Sequence, residues 1–324
     1  MLYALIASAL FFDFLNGFHD SSNIVATVIA SRAMSPRWTL FLTAAAELAG
    51  PLLFGVAVAT TVGAGLIDSH AITLPVILAG IWAAIAWNLF TWYVGLPSSS
   101  SHALVGGLIG AAVVASGLQV VQLRGLFKIL LALLISPPLG LLIGFFFMRL
   151  VLFFSRAASP KINNFFKRAQ IPTSITLALS HGTNDAQKTM GIITLGLVVD
   201  GVLPTFQVPL WVVLASAMAI ALGILSGGWR LIRTLGGRIY TMRPIHGFAS
   251  QVASTAVILG AALLGGPVST TQVVGSAIMG VGSAERISKV RWQVAQEMLR
   301  AWALTIPLTS IVGALMFWLL DRFL

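Results

Sequence analysis

Cysteine is absent from this 324-residue chain, which excludes disulfides, iron–sulfur clusters and thiolate metal sites. Charge is scarce as well. Only 9% of residues are Asp, Glu, Lys or Arg, against 58% hydrophobic and a mean hydropathy of +0.96. A soluble globular domain carries about a quarter charged residues. So few charges build no water-facing surface, and the solvent for most side chains must be lipid. The length leaves room for roughly ten spans of about 20 residues. No separate soluble domain is evident. The stretch from Met1 to Phe12 lacks a basic n-region and a small-residue cleavage site, so it reads as part of a mature span.

The net charge is +10. Its placement argues against nucleic acid. The basic residues stand between apolar runs, where they act as topological signals and face anionic headgroups. The apolar runs cover about 1–31, 39–64, 72–117, 125–154, 171–199, 207–228, 246–282 and 293–320, the third and seventh interrupted. Four loops hold most of the Lys and Arg. They are marked by Arg32 and Arg37; by Arg149, Arg156, Lys161, Lys167 and Arg168; by Arg230, Arg233, Arg238 and Arg243; and by Arg286, Lys289 and Arg291. The loops around Asp68, Gln119–Lys128 and Asp200 hold only Arg124 and Lys128. The basic loops are therefore expected in the cytoplasm, with both termini outside.

This topology makes the second half an inverted copy of the first. Residues 1–154 form one repeat, 155–170 a cytoplasmic linker and 171–324 the other. Two motif pairs support the division. Gly17-Phe-His-Asp20-Ser-Ser-Asn23 aligns with Gly182-Thr-Asn-Asp185-Ala-Gln-Lys188. Gly95-Leu-Pro97-Ser-Ser-Ser-Ser101-His102 aligns with Gly265-Gly-Pro267-Val-Ser-Thr-Thr271-Gln272. The expected fold is an all-α polytopic membrane protein with an inverted-topology repeat and two broken, re-entrant helical hairpins. Inverted repeats with matching polar interruptions are typical of secondary transporters and mark the substrate site.

Asp20 and Asp185 lie inside apolar runs, where a carboxylate costs several kcal/mol unless it faces a cavity or partner. Lys188, three residues after Asp185, is one such partner. The alternative is a cation site. Gly17 and Gly182 would let the helix unwind and free carbonyls, with His19, Asn184 and Asn23 as neutral ligands. Oxygen donors around a carboxylate suit Na⁺; a His–Asp pair suits a proton relay.

The hydroxyl runs Ser98, Ser99, Ser100, Ser101 and Ser269, Thr270, Thr271 follow Pro97 and Pro267. Each reads as a half-helix starting within the membrane, with unpaired N–H groups and a positive dipole end. Two such starts facing each other would cradle a tetrahedral oxyanion. Helix capping needs only one hydroxyl, and these runs exceed it. Glu47, near Gly50-Pro51, is either a coupling carboxylate or a buried structural acid. His102 and Gln272 occupy matched positions and line the site or satisfy broken backbone. Gln187 and Lys188 are further lining candidates. Asp13 marks the outer part of the first span. His181 aligns with Asn16, and His246 sits near a basic loop.

These segments resemble the inorganic phosphate transporter (PiT) family in its bacterial short form. The resemblance rests on Asn16-Gly-Phe-His-Asp20-Ser-Ser-Asn23, Ser180-His-Gly-Thr-Asn-Asp185-Ala-Gln-Lys188, the two hairpin tips, and the stretches Gly227-Gly-Trp-Arg230 and Arg233-Thr-Leu-Gly236. It implies a homodimer in the inner (plasma) membrane that symports phosphate with Na⁺ or H⁺. It places the cation, Na⁺ included, at Asp20, Asn23, Asn184 and Asp185, and phosphate at Ser99–Ser101 and Ser269–Thr271. His19 resembles the proton-coupled branch, and Lys188 departs from the Asn expected of the first repeat. No enzymatic cofactor is implied. Arsenate and sulfate are the chemical congeners of phosphate. The rival readings are a sulfate permease of the same fold, a passive anion channel, and an intramembrane hydrolase using Ser100 or Ser101 with His102. Adjacent Ser and His align poorly as nucleophile and base, so no catalytic residue is expected.

Overall fold

A computed structural model describes residues 1–66, 72–227, 229, 232 and 242–323. Asp68, Arg230, Arg233 and Arg238, with most of the Gly227–Gly236 stretch, lie outside them. The described residues form long helices: α1 Leu2–Ala30, α2 Pro36–Phe54, α3 Ala57–Gly65, α4 Leu74–Val94, α5 Ser100–Ser116, α6 Leu123–Ser155, α7 Ile162–Val199, α8 Leu210–Ser226, α9 Pro244–Leu263, α10 Thr270–Glu285 and α11 Trp292–Phe323. No strand occurs among them.

Five of these helices are long and apolar enough to cross a membrane, or six if α2 and α3 count as one span bent by 83°. The expected figure of about ten rested on chain length alone. The difference has a local cause. α7 runs for 38 residues but carries the polar stretch Ser180–Lys188, and α5 and α8 are only 17 residues long. α7 also begins at Ile162, inside the segment expected to be a linker. α6 and α11 lie at the periphery: only 28% and 22% of their most apolar windows are buried, against 61% for α4. Leu134, Phe146, Phe154 and Leu315 on their outer faces are exposed, as suits side chains solvated by lipid.

The two halves pack reciprocally. α1 lies against α8 and α2 against α7; α5 lies against α11 and α10 against α6. The hairpins match in detail. α4 ends at Gly95 in the left-handed conformation (φ 77°), and α9 is followed by Gly265 at φ 68°. The positive φ explains glycine at both turns. An extended connection follows each, and the next helix begins at Ser100 or Thr270. Pro97 and Pro267 therefore sit in the connections, ahead of the first helical turn.

Two apolar clusters bracket a polar layer. One gathers Leu5, Ala9 and Phe12 with Ile192, Ile193 and Leu195. The other gathers Ile24, Val25 and Ala26 with Leu177 and Ala178. Between them α1 turns Asp13, Asn16, Asp20, Asn23 and Thr27 to the interior, all buried. Their spacing of three or four residues keeps them on one helix face. α7 does the same with His181, Asp185 and Lys188.

Gly17 and Gly182 do not break their helices. α1 and α7 run straight through them. The glycines serve close approach instead. A Cβ at Gly17 would lie 2.1 Å from the Ile220 carbonyl oxygen on α8, and one at Gly182 2.4 Å from that of Glu47 on α2. The break lies between α2 and α3, after Pro51 and at Gly55 (φ 79°).

Candidate functional site

The two acids meet at the start of α10. Thr270 Oγ1 lies 2.9 Å from Asp185 Oδ2 and 3.4 Å from Asp20 Oδ2. A hydroxyl has one proton, so Thr270 donates to Asp185 and keeps Asp20 within reach. Thr271 donates to Asp20 Oδ1 at 2.9 Å and accepts from Asn23 Nδ2 at 3.0 Å. His19 Nδ1 lies 3.2 Å from Asp20 Oδ1, and its Nε2 faces Thr91 Oγ1 at 3.5 Å.

His181 sits at the centre, where motif alignment assigned it no chemistry. Its Nε2 is 3.2 Å from Asp185 Oδ2 and 3.6 Å from Asp20 Oδ2. Its Nδ1 is 2.8 Å from Glu47 Oε1. The Glu47 contact has ion-pair distance without hydrogen-bond alignment. Ligand atoms of Asp20, His181 and Asp185 all lie within 4.8 Å of one another, close enough to hold one cation. The i, i+4 spacing of His181 and Asp185 was the signal that could have found it.

On the far side of Asp185, Lys188 Nζ pairs with its Oδ1 and donates to Ser101 Oγ at 2.6 Å and the Val268 carbonyl at 3.0 Å. Ser101 in turn donates to the same carbonyl at 3.1 Å. Asn184 clamps the turn before α10, donating to Gly266 O at 3.1 Å and accepting from Val268 N at 3.2 Å. Ser100 donates to Asn16 Oδ1 at 2.6 Å. All these side chains are buried.

The remaining candidates hold the frame. Ser99 caps α5, accepting from His102 N at 3.2 Å and facing His102 Nδ1 at 2.7 Å. Ser269 caps α10, accepting from Gln272 N at 3.4 Å. Gln272 Nε2 and His102 Nδ1 lie 3.5 Å apart, so the matched pair meets across the two halves. Ser98 Oγ accepts from Trp87 Nε1 at 2.6 Å and lies 3.4 Å from Thr305. Gln187 sits at the α2–α3 break. It accepts from Val58 N and Ala59 N at 2.7 and 3.2 Å and donates to Gly55 O at 2.5 Å, supplying partners that the bend removes.

The arrangement thus combines the acids Asp20, Asp185 and Glu47, the imidazoles of His19 and His181 and the Lys188 ammonium with the N-termini of α5 and α10. Those termini present unpaired backbone N–H groups and positive dipole ends. Acids with donors of this kind can hold a cation and an oxyanion side by side.

A family model described as "Phosphate transporter family" matches residues 16–160 and 154–313. A "Probable low-affinity inorganic phosphate transporter" of Bacillus subtilis is 41% identical over 321 residues, covering 98% of this chain and 96% of that protein. One of the same description from Rhizobium meliloti is 42% identical, covering 99% and 97%. Among solved structures, "The sodium-dependent phosphate transporter" superposes with a TM-score of 0.89 at 26% identity, covering 100% of this chain and 99% of that one. With the family match spanning most of its length, and relatives this similar from end to end, the chain belongs to the phosphate transporter family.

Proposed function

We propose that the chain is a secondary active symporter that carries inorganic phosphate across the plasma membrane with H⁺ or Na⁺. It is an integral membrane protein and a transporter, not an enzyme. The observation that carries the symport reading is Thr270, at the start of α10, bridging Asp20 and Asp185 from the two halves. The same hydroxyl-bearing helix start serves the acids and faces the place an anion would take.

The steps follow from the charges. With no cation, Asp20 and Asp185 carry one more negative charge than Lys188 balances, which repels an oxyanion from the hydroxyls, and Thr270 and Thr271 are turned toward the acids. A cation among Asp20, Asp185 and His181 neutralises them. Thr270, Thr271, Ser100 and the first amides of α5 and α10 then turn to the anion. Cation and phosphate load together because each removes the cost of burying the other. The sodium-dependent relative supports a coupled cation in this fold. His19 beside Asp20 supports a proton as that cation.

The same reading takes the two halves as inverted repeats with both termini outside and the assembly as a homodimer. The matched hairpins and reciprocal packing support the repeat. Alternating access then follows, with one set of helices moving against the other around the shared site.

Uptake of radiolabelled phosphate by proteoliposomes tests the proposal, with Na⁺ and pH gradients imposed separately. One gradient drives accumulation above equilibrium, and Asp20→Asn abolishes the drive. Equilibration without accumulation under either gradient, or full gradient-driven uptake by Asp20→Asn, overturns it. Sulfate that displaces labelled phosphate at equal concentration overturns the phosphate assignment.

A further inference from the structure

We propose that the Lys188 ammonium is a resident cation: it permanently fills the second half's counterpart of the cation position beside Asp20, so that only the first-half position exchanges cations during transport. The proposal rests on reading the acidic pair as a cation-coupling site.

Lys188 and Asn23 stand at the same place in the two motifs, each three residues after the acid. Ser101 and Thr271 match likewise, each four residues after its proline. The contacts repeat these correspondences across the halves. Asn23 Nδ2 donates to Thr271 Oγ1 at 3.0 Å, and Thr271 donates to Asp20. Lys188 Nζ donates to Ser101 Oγ at 2.6 Å, and Ser101 donates to the Val268 carbonyl. Lys188 therefore occupies the place that the symmetry of the contacts gives to Asn23.

The chemistry at the two places differs in one way. Asn23 is buried, yet its Oδ1 has no hydrogen-bond partner. That leaves a spare neutral oxygen on the residue that shares Thr271 with Asp20, as an exchangeable cation needs. At Lys188 nothing is spare. An ammonium has three protons, and three oxygens take them: Asp185 Oδ1, Ser101 Oγ and the Val268 carbonyl. A carboxylate, a hydroxyl and a carbonyl are the oxygen set that a hard cation selects. The cavity beside Lys188, lined also by Ser101 and Pro267, measures only about 10 Å³, about one water-sized probe. The cage that would bind a second free cation is closed around a covalently attached one.

The substitution also fixes one charge. Lys188 is 2% exposed and paired with Asp185, so one carboxylate stays balanced through the cycle. Asp20, flanked by His19 and His181, is left as the acid whose charge the moving cation must cancel.

Equilibrium binding of ²²Na⁺ to the purified full-length chain, measured without phosphate, tests this directly. Lys188→Asn should bind one more Na⁺ per chain than the unaltered protein, and Lys188→Arg should match the unaltered count. An unchanged or lower count in folded, monodisperse Lys188→Asn overturns the proposal. Should that variant not fold, the reciprocal Asn23→Lys decides: it plants a second ammonium beside Asp20 and should abolish gradient-driven phosphate uptake. Asn23→Lys that still accumulates phosphate under the gradient overturns it too. Phosphate uptake by the unaltered chain is the separate control: its failure removes the symport reading, while the Na⁺ count reads only the cage.

Discussion

His181 Nδ1 lies 2.8 Å from Glu47 Oε1, with both side chains fully buried. The acid on α2 thereby holds the imidazole ring with its other nitrogen toward Asp185 and Asp20. On the proposed symport reading, Glu47 acts on the acidic pair through His181, as a positioning residue. Glu47→Gln keeps the shape and removes the charge that orients the ring. Gradient-driven phosphate uptake should fall at least about tenfold, the equivalent of roughly 1.4 kcal/mol. Thermal unfolding in detergent should change much less than for Glu47→Ala, which also leaves a void. Phosphate uptake unchanged in Glu47→Gln, with stability lost only in Glu47→Ala, would show that Glu47 only fills space.

Thr270 offers a cleaner probe of the shared site. Thr270→Val is close to isosteric and lacks the hydroxyl that bridges Asp185 and Asp20. A hydrogen bond to a charged group contributes about 1.5–3 kcal/mol. Uptake should fall by about one to two orders of magnitude in Thr270→Val and stay near the unaltered rate in Thr270→Ser, measured at matched protein density in vesicles.

The acids and hydroxyls were legible because polar groups inside apolar runs stand out against their background. The hairpins were legible too, since Gly95 and Gly265 precede matched proline and hydroxyl runs. His181 was legible only through its i, i+4 spacing to Asp185, because its other partners Glu47 and Asp20 are distant in sequence and its repeat counterpart is Asn16. In the sequence Gly17 and Gly182 suit points of unwinding. Glycine tolerates an irregular backbone and close packing equally well, and only the neighbour distinguishes them. Here those neighbours are the Ile220 and Glu47 carbonyls of helices from the opposite half. Gln187 was placed in the site by its position in the motif, whereas its amide is spent on the α2–α3 bend. A bend formed by Pro51 and Gly55 leaves a mark in sequence, but the residue that repairs it from another helix does not.

The glycine contacts can be tested by stability alone. Gly17→Ala and Gly182→Ala each force a methyl group against a carbonyl oxygen at 2.1 or 2.4 Å. Overpacking of this kind costs about 1–3 kcal/mol. Gly260→Ala, with nothing within 4 Å, should be neutral or stabilising by about 0.5–1 kcal/mol. Melting temperatures in one detergent should rank the variants in that order.

Gln187→Ala should destabilise the bend. It leaves the Val58 and Ala59 amides without the acceptor they now share, and the Gly55 carbonyl without its donor. Each unpaired buried group costs about 1–3 kcal/mol. Hydrogen exchange at residues 55–60 should rise in Gln187→Ala while exchange in α6 is unchanged. Gln187→Glu, which keeps the acceptor and loses the donor, should fall between.

The reciprocal packing of the halves also bears on how the chain is made. α1 leaves the ribosome carrying Asp13, Asn16, Asp20 and Asn23 on one face. The hydroxyls of α10, the imidazole of α7 and the carbonyl groove of α8 are all encoded later. An unpartnered carboxylate in hydrocarbon costs several kcal/mol. The newborn first half is thus an incomplete membrane guest, and its acidic helix needs shelter from lipid until translation delivers the second. The acidic site is therefore completed only by helices encoded in the second half.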